Sequence, residues 1–309
     1  MKSATIALIA AAAVIAAGAG AAFVLLENDS DEKKDTVAVT MSWEKDIAGE
    51  IVGDRYEVVS MMGSNVSPHE AYSTPSNISD LYKSEIYFKI GTGVEWETAF
   101  FDTVSKDIPS SVKIVSIADG IEYTALPNGH HHHGEEEQAD SASDPHIWTS
   151  PDNLRKIAEF MAAEISKLDP DNASDYSENL GKYLAKVDAV DAEMESLAKV
   201  AGSGHVHVMV WHPAWKYLLE QYAERFGTDF HMISVEEDGE VTPAEAAAIV
   251  KDEGCSAIYV SVTDEGYEGR QALEDAGITV HVVNPTADDM LSSVSEFLSY
   301  LRGDLGGTA

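Results

Sequence analysis

From residue 36 onward the chain alternates short apolar runs with amphipathic stretches at helical spacing. The apolar runs predict eight strands, at 36–40, 56–61, 85–90, 112–117, 205–211, 230–235, 257–262 and 278–283. The stretches between them predict helices, at 43–53, 75–83, 95–106, 213–226, 243–253, 267–276 and 287–301. Because strands that alternate with helices form parallel sheets covered on both faces, the pattern predicts an α/β protein.

The predicted strands fall into two sets separated by one long helical pattern. Residues 173–200 keep helical apolar spacing without an internal proline, which at 1.5 Å per residue is roughly 40 Å of helix. We therefore expect a mostly parallel, helix-flanked sheet in each of two lobes, at 36–170 and 203–309. A rigid connecting helix at 171–202 joins them, and a packed connector of this kind predicts small domain movements.

The N-terminal segment predicts export from the cytoplasm. Residues 4–26 carry no charge and follow Lys2, so 1–26 is typical of a signal or anchor segment, with 27–35 as a charged tether. The apolar run is long enough to cross a bilayer, so both a cleaved signal and a retained anchor stay open. No cysteine follows this run directly, so bacterial-type lipidation is not expected there, and Cys255 alone permits no intramolecular disulfide.

The charge balance narrows the range of partners. The chain has 54 acidic and 20 basic residues, a formal net charge of −34 at pH 7. Such a chain repels nucleic acid phosphates and anionic lipid head groups and favours cationic partners. An acidic surface is also typical of solubility, so the charge does not by itself indicate a metal site.

Three histidines stand where a binding site is expected. His69, His146 and His212 each neighbour a proline and lie in loops that follow predicted strands. Ligands of open α/β sheets bind beyond the carboxyl ends of strands. Two of these histidines belong to the first lobe and one to the second, so a shared ion would lie in the cleft between the lobes. Three neutral imidazoles form a transition-metal site with one position open.

The remaining histidines have different predicted roles. His130, His131, His132 and His133 lie in a loop at 118–145 that lacks periodicity, and with the adjacent glutamates they predict weak, auxiliary metal contacts. His205 and His207 are two apart on a strand, a spacing that can hold a metal, but we interpret them as the start of that strand. His231 and His281 each occur singly in apolar strands and predict core or sheet-face positions.

Three segments carry a resemblance to a known family. They read SPHEAYSTPS at 67–76, DPHIWTSP at 144–151 and WHPAWKY at 211–217. Over 36–302 the chain resembles the extracytoplasmic substrate-binding proteins of zinc and manganese ABC importers. The resemblance implies two lobes joined by one long helix, metal binding by His69, His146 and His212, and delivery to a membrane permease driven by an ATPase.

The resemblance also bears on the metal. Zinc members of that family have histidine at the third position and often a His-rich acidic loop, and this chain has both. Manganese members supply an aspartate after the last strand, where this chain reads Val283-Asn284-Pro285-Thr286. We therefore expect bound Zn²⁺ as the transported ligand and a fourth position filled by water or a mobile carboxylate. The nearby carboxylates belong to Glu236, Glu237, Asp264, Asp288 and Asp289.

Three histidines and a water also describe a hydrolytic zinc centre. The chain has no His-Glu-x-x-His, Gly-x-Ser-x-Gly or glycine-rich phosphate loop, so we expect a binding protein and not an enzyme. The predicted function is high-affinity zinc capture by an extracytoplasmic monomer that does not bind nucleic acid. The alternatives are a manganese or iron binder of the same family, an extracellular metal-buffering or adhesion protein, and last a zinc hydrolase.

Overall fold

The computed structural model describes residues 34–70, 72–121, 144–236 and 241–306. The four strands of its first sheet are β1 (Asp35–Val39), β2 (Tyr56–Ser60), β3 (Ser84–Lys89) and β4 (Lys113–Ser116). Those of its second sheet are β5 (His205–Val210), β6 (Asp229–Ser234), β7 (Ala257–Val260) and β8 (Thr279–Val282). Every pairing within these sheets is parallel. The predicted α/β class and the two sheets are confirmed.

The two sheets repeat one strand order. The first runs β2-β1-β3-β4 and the second β6-β5-β7-β8. In each lobe the first strand is an inner strand, the second lies beside it at one edge, and the third and fourth lie on its other side. Parallel neighbours need a crossover connection, and helices supply it. The carboxyl ends of the strands in each sheet therefore lie at one edge, where the loops that carry the candidate ligands emerge.

Helices cover both sheets. In the first lobe they are α1 (Ser42–Val52), α2 (Pro75–Lys83), α3 (Glu95–Val104), α4 (Ile117–Gly120) and α5 (Pro151–Leu168). In the second lobe they are α7 (Lys216–Phe226), α8 (Pro243–Asp252), α9 (Glu265–Glu268), α10 (Arg270–Asp275) and α11 (Met290–Gly306). Thr74 and Thr242 close capping boxes at the starts of α2 and α8, and a proline follows each of them in the first turn of the helix.

The connecting helix α6 spans Ala173–Ala201 after a short 3-10 turn at Pro170–Asn172. It packs against α1 and α5 from the first lobe and against α11 and α7 from the second. Tyr176, Tyr183 and Val187 are among its fully or almost fully buried side chains. A helix held along its length by both lobes favours a stiff connection between them.

Some predicted elements have different limits in the structure. The predicted helix at 213–226 begins only at Lys216, because residues 211–215 form bends and a turn in which the Ala214 amide donates to the His212 carbonyl. The predicted helix at 267–276 is interrupted between α9 and α10. Helix α5 was not among the predicted helices, although its Ser150-Pro151 start was visible in the sequence.

Most of the buried apolar side chains form one continuous cluster that includes residues of both lobes. Trp43 stacks on Trp148 at 5.7 Å between ring centroids, and Trp215 stacks on Phe297 at 4.7 Å. Within the described ranges, no helix is long and apolar enough to cross a bilayer. The predicted signal segment at 1–26 and most of the tether lie outside those ranges.

Candidate metal site

Three imidazole rings, one from each resemblance segment, meet in a single place. His69 Nε2 lies 3.2 Å from His146 Nε2, which lies 3.2 Å from His212 Nε2. The ring centroids are 5.0–5.3 Å apart. With metal–nitrogen bonds of about 2.0–2.1 Å, tetrahedral geometry places neighbouring ligand nitrogens about 3.3–3.4 Å apart. The observed spacing is therefore close to that of a tetrahedral site, and these three histidines (the cleft histidines) are the only such group in the described residues.

Different elements bring each ring to this point. His69 lies in the turns between β2 and α2, after Asn65, whose φ of 59° places it in the left-handed region. His146 immediately precedes a 3-10 turn at Ile147–Thr149. His212 follows the end of β5. All three positions are loops at the carboxyl ends of strands, as the topology of open α/β sheets favours.

The loops around the rings are tied across the two lobes. Trp148 Nε1 donates to the Pro285 carbonyl at 2.7 Å, and Thr149 Oγ1 donates to the Ala214 carbonyl at 2.9 Å. Tyr217 donates from its hydroxyl to the Asp144 carbonyl at 3.1 Å. These bonds fix residues next to His146 and His212 against each other. The imidazole nitrogens of His146 and His212 are consequently positioned by hydrogen bonds to backbone carbonyls of neighbouring residues.

Each of the three rings contacts a carboxylate through its other nitrogen. His69 Nδ1 lies 2.6 Å from Glu95 Oε2, His146 Nδ1 2.8 Å from Asp144 Oδ1, and His212 Nδ1 2.9 Å from Glu236 Oε2. An ionised carboxylate only accepts hydrogen bonds, so each Nδ1 carries the proton and donates it. Each Nε2 is then left with a lone pair aimed at the shared point. This carboxylate–histidine arrangement is the usual support of a metal-binding imidazole.

The lone pairs make the geometry unfavourable without a cation. Nitrogens that both present lone pairs at 3.2 Å repel each other and cannot hydrogen-bond. A divalent ion at the common point would convert that repulsion into three bonds. Nearby acidic side chains would also offset its charge, since Glu70, Glu236 and Asp264 line the same cavity. The arrangement is therefore suited to hold one divalent cation.

The protonation behaviour of two rings follows from their surroundings. Burial lowers the pKa of His146, against the opposing effect of Asp144, and so favours the neutral form that binds metal. Burial acts the same way on His212, but the hydrogen bond and charge of Glu236 outweigh it and raise the pKa. Burial also raises the pKa of Asp264, to about 6. The charge of His212 thus affects the pKa of both His146 and Asp264.

The carboxylates considered for the fourth metal position differ in whether they line the cavity that contains the three histidines. Glu236 and Asp264 line the cavity, which has a volume of about 350 Å³. Asp288 borders a different cavity beside α1, and Asp289 accepts from the Ser292 amide at the start of α11. Glu237 lies outside the described residues, as do His130, His131, His132 and His133.

Asn284 is held away from a ligand role. Its Oδ1 accepts from the amide and hydroxyl of Thr286, at 3.0 and 2.9 Å, and its amide nitrogen donates to Asn65. Pro285 and Thr286, and not Asn284, line the cavity. Asn284 therefore serves to order the loop after β8.

The other described histidines lie elsewhere. His281 bonds Asp304 at 3.0 Å beside α11 and is half-buried, in agreement with a sheet-face position. His231 is exposed, and it does not stand alone, because its ring lies 5.7 Å from those of both His205 and His207. The sequence placed His205 and His207 on one side of a strand, but it did not reveal that His231 lies beside them. The pairing of β5 with β6 was the information required to find it.

Comparison with known proteins decides the family. The profile of "ZnuA: Zinc-uptake complex component A periplasmic" matches residues 37–305. The chain belongs to this family. Its members are solute-binding transport proteins and not enzymes, so the hydrolase alternative is excluded, and the extracytoplasmic location predicted from the N-terminal segment agrees with the family.

Individual relatives bind different metals. The chain is 24% identical over 286 residues to the high-affinity zinc uptake system protein ZnuA of Bacillus subtilis, covering 89% of this chain and 86% of the relative. It is 23% identical over 269 residues to the manganese-binding lipoprotein MntA of Halalkalibacterium halodurans, covering 87% and 84%. The periplasmic zinc-binding protein TroA of Treponema pallidum has the same fold, with a TM-score of 0.70 at 16% identity over 88% of this chain and 99% of that one. The chain is a metal-binding component of an ABC importer.

Proposed function

We propose that this protein captures Zn²⁺ in the cleft between its lobes and delivers it to the permease and ATPase of a metal importer. The observation that carries the proposal is the convergence of three Nε2 atoms, each on a ring whose Nδ1 is held by a carboxylate. His69, His146 and His212 are the proposed ligands. The name of the Bacillus subtilis relative supports the same cargo.

The donor set favours zinc over manganese. Imidazole nitrogens suit zinc, whereas manganese is better held by carboxylate and water oxygens. Here the three converging groups are all imidazoles, and the carboxylates of Glu95, Asp144 and Glu236 are engaged as partners of Nδ1. A manganese or iron cargo is the alternative, since relatives with those names exist. An extracellular buffering role would use the same site without a permease.

The fourth position is proposed to be water or Asp264. Asp264 lines the cavity but has no contact to any of the cleft histidines short enough for it to join their group. Its Oδ2 accepts from the Ser261 amide at 2.6 Å, and that bond ties it to the end of β7. Movement of this side chain toward the three Nε2 atoms would complete a four-coordinate site.

The direct test is the metal preference of the purified protein. Elemental analysis after purification without added metal should find about one zinc per chain, and competition against a chromogenic chelator should show Zn²⁺ bound far more tightly than Mn²⁺. His212→Ala should abolish the tight site, because two imidazoles and solvent replace three imidazoles. Unchanged zinc affinity in that variant would remove His212 from the ligand set.

A second variant addresses selectivity. His212→Glu replaces one imidazole by a carboxylate at the same position, so zinc affinity should fall and the ratio of zinc to manganese affinity should narrow. The variant should fold, because His212 is only part-buried. If the ratio does not change, the third ligand is not what sets the preference.

A further inference from the structure

We propose a second, weaker zinc-class site formed by His205 and His207 at the start of β5, with the ring of His231 beside it. These side chains take no part in the cleft site. His205 opens β5 and His212 follows its end, so the two sites lie at opposite ends of this strand, roughly 20 Å apart at about 3.3 Å per residue. We call His205 and His207 the strand-edge pair, because they lie at the amino-terminal end of β5, which is itself an inner strand of the sheet.

Strand geometry brings these imidazoles together. Residues two apart on a strand face the same side, so His205 and His207 project from one face of the second sheet. His231 on β6 is the register partner of His207 and therefore faces the same side. The ring centroids of His205 and His207 are 4.6 Å apart, and that of His231 is 5.7 Å from each.

The hydrogen bonds repeat the pattern of the cleft. His205 Nδ1 lies 2.6 Å from Asp229 Oδ2, and His207 Nδ1 lies 3.2 Å from the Glu253 carbonyl oxygen. Both partners are acceptors, so both Nδ1 atoms carry protons and both Nε2 atoms present lone pairs. These two Nε2 atoms face each other at 2.7 Å. Two lone pairs at that distance require a positive charge between or beside them, which either a shared proton or a metal ion supplies.

A divalent ion can supply that charge after a small opening of the pair. Ligand nitrogens in a tetrahedral zinc site stand about 3.3–3.4 Å apart, so the two rings would separate by about 0.6 Å. His205 is half-exposed and His207 is on the surface side of the strand, which leaves room for that rotation. Asp229 and Glu253 add negative charge close by. The chemistry favours zinc, nickel or copper over magnesium or calcium.

The site should be weaker than the cleft for two reasons. Only two nitrogens are already aimed at a common point, and His231 must rotate to provide a third. The side chain of His205 is 51% exposed, compared with 6% for His146, so solvent competes for the ion and screens its charge. This arrangement suits a surface contact that exchanges ions readily.

The test counts zinc bound to the full chain in which His130 to His133 are replaced by serine, so that loop histidines do not contribute. Titration is performed in excess Mg²⁺, which occupies carboxylate sites but not imidazoles. This background should bind two equivalents, one tight and one weaker. The double variant His205→Ala and His207→Ala should lose the weaker equivalent and keep the tight one. His281→Gln, which removes a carboxylate-paired imidazole that has no imidazole partner in the described structure, should retain both.

A second measurement reports the atoms directly. Long-range ¹H–¹⁵N spectra of the background protein should show the Nε2 signals of His205 and His207 shifting as the second equivalent is added. A background that binds only one equivalent, a double variant that retains two, or Nε2 signals that do not respond would each overturn the site. A pair that only shares a proton gives this last result. Loss of the tight equivalent would instead count against the cleft assignment, so the two conclusions fail separately.

Discussion

The cleft histidines and the strand-edge pair are built from the same parts but assembled differently. In both, Nδ1 atoms donate to oxygen acceptors and Nε2 atoms face one another. The cleft draws its rings from three loops far apart in the chain, whereas the strand edge uses alternate residues of one strand and its neighbour. Local spacing can thus place two imidazoles together, but the convergence of three imidazoles in the cleft required both lobes.

Burial accounts for the expected difference in affinity. His146 is almost fully buried and lies between His69 and His212, with Trp148 packed against it at 5.2 Å. Water that would compete for the ion is excluded on that side, and the electrostatic attraction is less screened than at a surface. The strand-edge pair lacks such cover. We therefore expect zinc affinity to depend less on the number of nearby imidazoles than on how many of them are already held in position before the ion binds.

The largest effect should come from the central ring of the cleft. His146→Ala removes the proposed ligand that takes part in both 3.2 Å contacts, and the loss of one of three proposed metal bonds should weaken zinc binding by about a thousandfold or more. Competition with a chromogenic chelator measures this. The matched replacement His205→Ala should leave the tight constant unchanged. Equal losses of zinc affinity in His146→Ala and His205→Ala would contradict the assignment of the tight site to the cleft alone.

Zinc should stabilise the protein chiefly through the cleft. An ion that binds only the folded chain contributes about 2.7 kcal/mol at a free concentration of 100 times its dissociation constant. At zinc concentrations that saturate only the tight site, zinc should raise the midpoint temperature of thermal unfolding of the wild type. The double variant His205→Ala and His207→Ala should show the same rise. The shift should disappear in His212→Ala. A shift that depends on the strand-edge pair would contradict this assignment.

Removing the support of one ring should have a smaller effect than removing the ring. Asp144→Asn keeps the shape of the side chain but no longer holds the proton on His146 Nδ1 as firmly, so zinc affinity should fall about 10–100-fold. Glu70→Gln is the control, because Glu70 lines the cavity but forms no hydrogen bond or ion pair with a cleft ring in the described part of the chain. If both variants lose the same affinity, total charge and not the hydrogen bond is responsible.

The smallest effect is expected from the loop histidines. Replacement of His130, His131, His132 and His133 by serine should leave the tight constant within error and remove only weak binding, because their sequence pattern predicts weak, auxiliary metal contacts. Chelator competition measures the tight constant, and the total zinc bound at saturation measures the weak binding. Disappearance of the tight site would show that the loop, and not the cleft, provides it.

Pattern alone predicted much of the architecture. The eight apolar runs became the eight strands with shifts of one or two residues at most ends, because buried parallel strands require continuous apolar sequence. The long uninterrupted helix α6 was equally visible. Helix α5 was not predicted, although Leu154, Ile157, Met161 and Ile165 follow helical spacing in the sequence. The late start of α7 was not predicted because it depends on the turn that carries His212.

The sequence by itself determined which imidazoles stand at the carboxyl ends of strands, through three short segments around His69, His146 and His212. It could not determine their separation, their tautomers or their carboxylate partners, because Glu95 and Glu236 lie 26 and 24 residues away from the rings they contact. Only the tertiary structure decided that, and it also brought His231 beside His205 and His207. Periodicity records which face of an element is buried, whereas distances between loops arise only when the two sheets pack around a common helix.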